Sequence, residues 1–138
     1  MEKEVEERLL ILQQLQNEAE AIQRRIVELE LVDSQLEKTI ESLEYFNSLD
    51  EGVEALMNLG GGVFAYVDVK SAKKMLIDVG AGVVMEKDVG EAIEFLKKKR
   101  EIIRKNVTNL EHVLQQIVDR ARQIQMELAK LEKKEEKK

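Results

Sequence analysis

The sequence predicts an α+β chain in which a long antiparallel two-helix coiled coil carries two β-hairpins between its helices. Three observations lead to this fold. Heptad repeats of apolar residues occupy both ends of the chain, as is typical of coiled coils. The middle changes to an alternating apolar pattern with two glycine clusters, as strands and tight turns require. The 138 residues include no proline, so each helix can run without interruption.

The first helix is predicted over residues 1–48. With Leu12 at an a position, ten of the thirteen a and d positions between residues 5 and 47 are apolar. The second helix, predicted over residues 88–132, repeats the heptad, and Asp88 followed by Glu91 indicates a capping box at its start. Residues 133–138 are mixed in charge and are expected to fray into a solvated tail.

The two heptad seams match in length, which favours antiparallel pairing. If residue i faces residue 136 − i, every a position meets a d position. This pairing places the polar residues Asp33 and Arg100 one layer apart. They form either an ion pair that fixes the register or two heptad defects whose side chains extend outward to water.

The middle segment, residues 49–88, is predicted to form strands at about 54–59, 63–69, 74–79 and 83–87, which make two hairpins. An isolated hairpin is marginal in water, and its open edges invite pairing with another chain. We therefore expect the hairpins to close a sheet or barrel with hairpins from other subunits. The predicted interface residues are Leu56, Leu59, Val63, Phe64, Val67, Val69, Met75, Ile77, Val79 and Val83.

Composition excludes several functional classes. Charged residues make up 36% of the chain and aromatic residues 4%, which does not suit a compact enzyme with a large core. The chain has no cysteine and a single histidine, His112, and its net charge of −6 argues against nucleic acid as a partner. No catalytic residue, metal ligand or cofactor is expected.

The ends of the chain show no targeting or membrane signal. The charged N-terminus is followed by no apolar segment of the signal-peptide type. The longest uncharged stretch, residues 55–67, is shorter than the ~20 residues of a membrane span. The sequence therefore predicts a cytoplasmic protein without a membrane partner.

Several apolar residues near the far end of the coiled coil lie outside the seam. Leu9, Leu10 and Ile11 occupy heptad positions e, f and g, and Met126 also lies at f. They form either an adaptable surface for varied partners, with methionine supplying soft contacts, or a contact with a neighbouring coiled coil. Fraying of this end would also expose seam residues such as Val5.

The residues around both predicted turns resemble the archaeal prefoldin α subunit. The resemblance lies in Leu59-Gly60-Gly61-Gly62-Val63-Phe64, Val69-Lys70, Ile77-Asp78-Val79-Gly80-Ala81-Gly82-Val83, Glu86-Lys87 and Glu91-Ala92. Two hairpins are typical of the α class. The resemblance implies an assembly of two α and four β subunits, in which the hairpins form an intersubunit β-barrel platform. It also implies an ATP-independent holdase that captures unfolded proteins at coiled-coil tips and delivers them to a group II chaperonin.

By the same resemblance, the tip residues are the client-binding positions. With Val5 included for fraying, these are Val5, Leu9, Leu10, Ile11, Leu12, Ile124, Met126, Leu128 and Leu131. One position departs from the family pattern: Asn58 stands where α subunits commonly have proline, and it restores a backbone N–H to an edge strand. This leaves open the alternative of a self-assembling structural scaffold or filament-forming paralogue.

Overall fold

The computed structural model describes residues 2–49, 52–71 and 73–136. Its elements are α1 (Glu2–Asn47), β1 (Glu54–Gly60), β2 (Val63–Asp68), β3 (Lys74–Gly80), β4 (Val83–Asp88) and α2 (Val89–Glu136). This order confirms the predicted α+β fold, and each strand ends within one residue of its prediction. The predicted segments also cover residues 1, 50, 51, 72, 137 and 138, which lie outside the described residues.

The chain divides into two compact units, each with a segment of both helices. Unit 1 comprises Met1–Val32 and Ile103–Lys138, and unit 2 comprises Asp33–Ile102. The boundary therefore falls within the two helices and not at the predicted ends of elements.

The second helix is longer than predicted. It continues through Glu136, so its predicted end at residue 132 is wrong, and the part of the charged tail that the structure describes is helical. Glutamate and lysine are good helix formers. In addition, Lys133 and Lys134 lie in the last turn, where positive charge interacts favourably with the helix dipole.

Burial along α1 follows the predicted heptad. Every a and d residue from Val5 to Leu43 is at least partly buried, and the residues between them are exposed. The pattern ends one residue early, because Asn47 is exposed and the neighbouring Phe46 is half-buried. An aromatic ring buries more apolar surface than an amide, which accounts for this local shift in the seam.

The core of unit 2 joins both helices to the second hairpin. Ile40 of α1 packs with Val89 and Ile93 of α2 in a buried cluster, and Met75 of β3 contacts this cluster. At the start of α2, Oδ1 of Asp88 accepts a hydrogen bond of 2.8 Å from the backbone N–H of Glu91. This bond is the N-cap half of the predicted capping box.

Consecutive strands pair into two antiparallel hairpins, hairpin 1 (β1–β2) and hairpin 2 (β3–β4). The hairpins have the same strand register, and each residue pair of hairpin 1 has a counterpart 20 residues later in hairpin 2. The residue pairs farthest from the turns are Glu54–Asp68 in hairpin 1 and Lys74–Asp88 in hairpin 2. Both registers shift just before the turn. Among the described residues the two hairpins do not pair with each other, so each strand keeps an edge without a β partner. The intersubunit barrel involves other chains and stays a prediction.

Candidate interaction surfaces

Four of the predicted tip residues lie on the surface of unit 1. Leu9, Leu10 and Met126 are 52, 63 and 65% exposed, and Ile11 is 36% exposed. Successive helix residues are rotated by about 100°, so the three α1 residues cover a broad arc of the helix. Leu10 and Met126 occupy f positions of different helices, and these positions face opposite outer sides of a two-helix coiled coil. The apolar residues therefore surround the helix pair instead of forming one flat patch.

The other predicted tip residues belong to the seam. Val5, Leu12, Leu128 and Leu131 are half-buried, whereas Ile124 is only 1% exposed. A client could therefore reach the side chain of Ile124 only if the helices separated, and its role in client binding stays a prediction. Its d position places it in the seam, and the seam is where apolar surface is removed from water.

An ion pair links the helices next to the exposed tip residues. Nε of Arg8 donates to Oε2 of Glu127 over 2.9 Å, and Nη1 of Arg8 donates to the backbone oxygen of Glu4 over 3.3 Å. The side chains of Arg8 and Glu127 are 29 and 47% exposed, so solvent screens their attraction. The pair explains how a charged residue occupies a d position of α1.

A second ion pair occupies the seam of unit 2. Nε of Arg100 donates to Oδ1 of Asp33 over 2.8 Å, and Nη2 donates to Oδ2 over 3.2 Å. The two side chains are only 16 and 20% exposed, and Oε2 of Glu37 lies 3.6 Å from Nη2 of Arg100. The predicted ion pair is thus confirmed, and the alternative of two outward-facing heptad defects is wrong.

The electrostatics of this pair favour the charged guanidinium. The hydrogen bond to Asp33 raises the pKa of Arg100, and the charges of Asp33 and Glu37 add to this, while partial burial opposes it. Arg100 therefore stays protonated throughout the range in which proteins are stable, and the bidentate geometry is maintained.

The predicted interface residues divide into two groups on the hairpins. Leu56, Leu59, Val63, Phe64 and Val83 are each more than half exposed. Val67, Val69, Met75, Ile77 and Val79 are half-buried. The prediction missed Tyr66 and Leu76, which at 80 and 75% are the most exposed large apolar side chains of the described chain. Alternation in β2 puts Tyr66 on the face opposite the two half-buried residues Ala65 and Val67, but alternation alone does not show which face the rest of the chain covers.

The described residues contain neither a candidate metal-ion site nor a helix that could span a membrane. Residues 2–49, 52–71 and 73–136 contain no group of three or more histidine, aspartate or glutamate side chains placed to hold a metal ion. Neither helix, over its described length, has an apolar stretch sufficient to cross a membrane. His112 is exposed on α2.

Comparison with known proteins identifies the family. A family model described as prefoldin subunit matches residues 15–134. The chain is 57% identical over 134 residues to prefoldin subunit alpha of Archaeoglobus fulgidus, covering 97% of this chain and 98% of that protein. It is 29% identical over 107 residues to prefoldin subunit alpha of Thermofilum pendens, covering 78 and 83% of the two chains.

A solved structure shares the fold. The cryo-EM structure of filamentous PFD from Methanocaldococcus jannaschii matches with a TM-score of 0.75 and 17% identity, covering 85% of this chain and 97% of that chain. At this identity the likeness concerns the fold alone, while the family model and the Archaeoglobus relative concern the sequence itself. The chain belongs to the prefoldin family of chaperones, as a relative of the archaeal α subunits.

Proposed function

We propose that this chain holds unfolded proteins without ATP through the exposed apolar residues near the end of unit 1. We further propose that it assembles with prefoldin β subunits, as two α and four β chains, and delivers its clients to a group II chaperonin in the cytoplasm. In this proposal the chain has no catalytic role, and neither nucleic acid nor a membrane is a partner.

The observation that carries the proposal is the exposure of Leu9, Leu10 and Ile11 on α1. Three consecutive apolar residues cannot all face a two-helix seam, because the seam takes only the a and d positions. They leave apolar surface in water next to the a residue Leu12. Such surface is typical of an interaction site.

The spread of these residues around the helix pair suits partners of varied shape. An unfolded chain offers apolar side chains in no fixed arrangement, so a binding surface gains from several separate contacts. Met126, on the opposite outer side, has a flexible thioether side chain that adapts to different partners. The ion pair of Arg8 with Glu127 links the helices beside this surface, and Leu9, Leu10 and Met126 are exposed without any separation of the helices.

The comparisons do not favour the alternative of a self-assembling scaffold or filament former. The relatives that cover most of this chain are prefoldin α subunits. The likeness to the filamentous protein is at 17% identity, and assembly into filaments is a property of that protein.

The test is aggregation of guanidinium-denatured citrate synthase, followed by light scattering after dilution into buffer without ATP. The client-site variant is Leu9→Ser with Leu10→Ser. The matched control is Val27→Ser with Leu31→Ser, because those residues are 65 and 60% exposed on the same helix and in the same unit. Both variants remove two exposed apolar side chains from the same helix, so they differ mainly in position.

We expect the wild-type chain, assembled with a prefoldin β subunit, to suppress scattering. The Leu9/Leu10 variant should lose most of the suppression, whereas the Val27/Leu31 variant should retain it. Equal suppression by both variants would contradict the assignment of the site. Absence of suppression by the assembled wild-type complex would contradict the holdase function itself.

A further inference from the structure

Hairpin 1 has a like-charge pair at its base. Glu54 and Asp68 are direct partners in the β1–β2 register, so their side chains leave the same face, with Cβ atoms about 5 Å apart. Both residues are exposed. Within the described chain, no cation lies within ion-pair distance of either carboxylate. Like charges directly opposite each other destabilise a strand pair, so this arrangement disfavours the isolated hairpin.

Hairpin 2 has the same backbone register but balanced charge. Lys74 takes the place of Glu54 and is the direct partner of Asp88. Its Nζ also lies 3.9 Å from Oε1 of Glu86, which is on the same face. Hairpin 2 therefore shows that the same backbone register accommodates oppositely charged residues at this position. The acidic pair is particular to hairpin 1.

The acidic pair borders an exposed apolar and aromatic face. Leu56 and Tyr66 are the next partners on that face, and they are 60 and 80% exposed. Phe64, two residues before Tyr66 and on the same face, is 58% exposed. A face with an apolar centre and a charged margin has the composition of a protein interface.

We propose that this face of hairpin 1 docks a strand of a different chain that places lysine or arginine against Glu54 and Asp68 and apolar side chains against Leu56 and Tyr66. The inference rests on the proposed assembly with partner subunits and specifies the chemistry of one partner. Charge complementarity then offsets the repulsion within the hairpin, so the free chain carries a cost that association removes.

Hairpin 1 of a second copy does not meet this requirement. Residues 54–68 contain no lysine, arginine or histidine, so packing hairpin 1 on hairpin 1 would bring four carboxylates together without a cation. In hairpin 2, Lys74 already has acidic neighbours, Asp88 as its strand partner and Glu86 at 3.9 Å. The face thus favours a different partner over pairing of hairpin 1 with itself, partly because the carboxylates of two copies would repel each other.

The experiment measures association of the full chain with the prefoldin β subunit of Archaeoglobus fulgidus, whose α subunit is 57% identical to this chain. Sedimentation velocity at about 50 mM and about 500 mM sodium chloride gives the affinity and its dependence on screening. The test variant is Glu54→Gln with Asp68→Asn. The control is Asp78→Asn with Glu86→Gln, which removes two charges from the exposed face of hairpin 2.

We expect the hairpin 1 variant to bind the β subunit about tenfold more weakly at low salt and to lose most of the salt dependence. The same variant should melt at a higher temperature than wild type when free, because the repulsion is gone. The hairpin 2 variant should bind within about twofold of wild type. Weaker association together with a more stable free chain is a combination that general damage to the fold would not produce.

Three results would overturn the inference. Binding of the hairpin 1 variant equal to that of the control would show that the acidic pair faces no cation, while leaving the proposed function intact. Stronger self-association of the hairpin 1 variant, with unchanged binding of the β subunit, would identify a second copy as the occupant. If wild type does not bind the β subunit at either salt concentration, both the inference and the proposed assembly fail.

Discussion

Replacing Ile124 by alanine should destabilise the chain, whereas the same change at Met126 should not. Ile124 is 1% exposed and Met126 is 65% exposed, although both were predicted to contact clients. Ile124→Ala removes three carbon atoms from the seam, or about 2.4 kcal/mol at about 0.8 kcal/mol for each. The cavity left behind raises the expected loss in the free energy of unfolding to about 3–4 kcal/mol. Met126→Ala should cost less than about 0.5 kcal/mol.

The assay is urea unfolding followed by circular dichroism at a fixed concentration of chain, because association with other subunits shifts apparent stability. Client suppression by light scattering is measured in parallel, below the unfolding transition. Ile124→Ala should lower the unfolding midpoint and leave suppression close to wild type. Met126→Ala should weaken suppression and leave the midpoint unchanged.

The reasoning is refuted if Ile124→Ala weakens suppression and Met126→Ala lowers the unfolding midpoint. Loss of suppression by Ile124→Ala at unchanged stability would mean that clients reach the seam and that the helices separate during binding. A loss of more than about 2 kcal/mol from Met126→Ala would mean that its side chain is packed and not exposed.

Four further predictions concern positions outside the tip. Neutralising either Asp33 or Arg100 alone should lower the melting temperature more than neutralising both, since a single change removes the bidentate partner of a partly buried charge; additive effects in a double-mutant cycle would refute the coupling. The pKa of Arg100 is raised in the folded chain. Its contribution to stability is therefore complete at any pH below its pKa in the unfolded chain, and is lost only as the pH rises through its pKa in the folded chain. The melting temperature should therefore not fall on its account between about pH 7 and about pH 10. Gly52→Ala should cost about 1–3 kcal/mol, because the new Cβ would collide with the carbonyl oxygen of Val69; a midpoint equal to wild type in urea would contradict this. Ala81 has a φ of 51°, so Ala81→Gly should stabilise the turn by about 0.5 kcal/mol, and a lower midpoint would show that the left-handed backbone is not strained.

Local patterns were sufficient to predict the elements of the fold. Apolar spacing identified both helices and the four strands, because period and turn glycines depend on neighbouring residues only. The same spacing located the Asp33–Arg100 pair, since an antiparallel register relates each residue of α1 to one residue of α2. The end of α2 was missed because its mixed charges suit both a solvated tail and a charged helix.

The interaction surfaces were harder to predict, because exposure depends on what packs on each face. Periodicity already placed Ile124 in the seam, whereas the resemblance to the family named it as a client-binding position. Tyr66 and Leu76 were omitted because strand alternation separates two faces without showing which one the rest of the chain covers. The like charges of Glu54 and Asp68 became informative only once the register paired them. The clients and partner subunits are other molecules, so the remaining assignments stay predictions.

The ion pair between Arg8 and Glu127 joins residues that are 119 positions apart in sequence, and this separation has a consequence for biosynthesis. At about 5–20 residues per second, the ribosome needs about 6–24 s to add the second partner after the first. During this interval the apolar seam of the first helix has left the ribosome before its complement exists. The nascent chain is then itself an aggregation-prone polypeptide. A protein that we propose to shield the apolar segments of others therefore needs protection of its own until synthesis is complete.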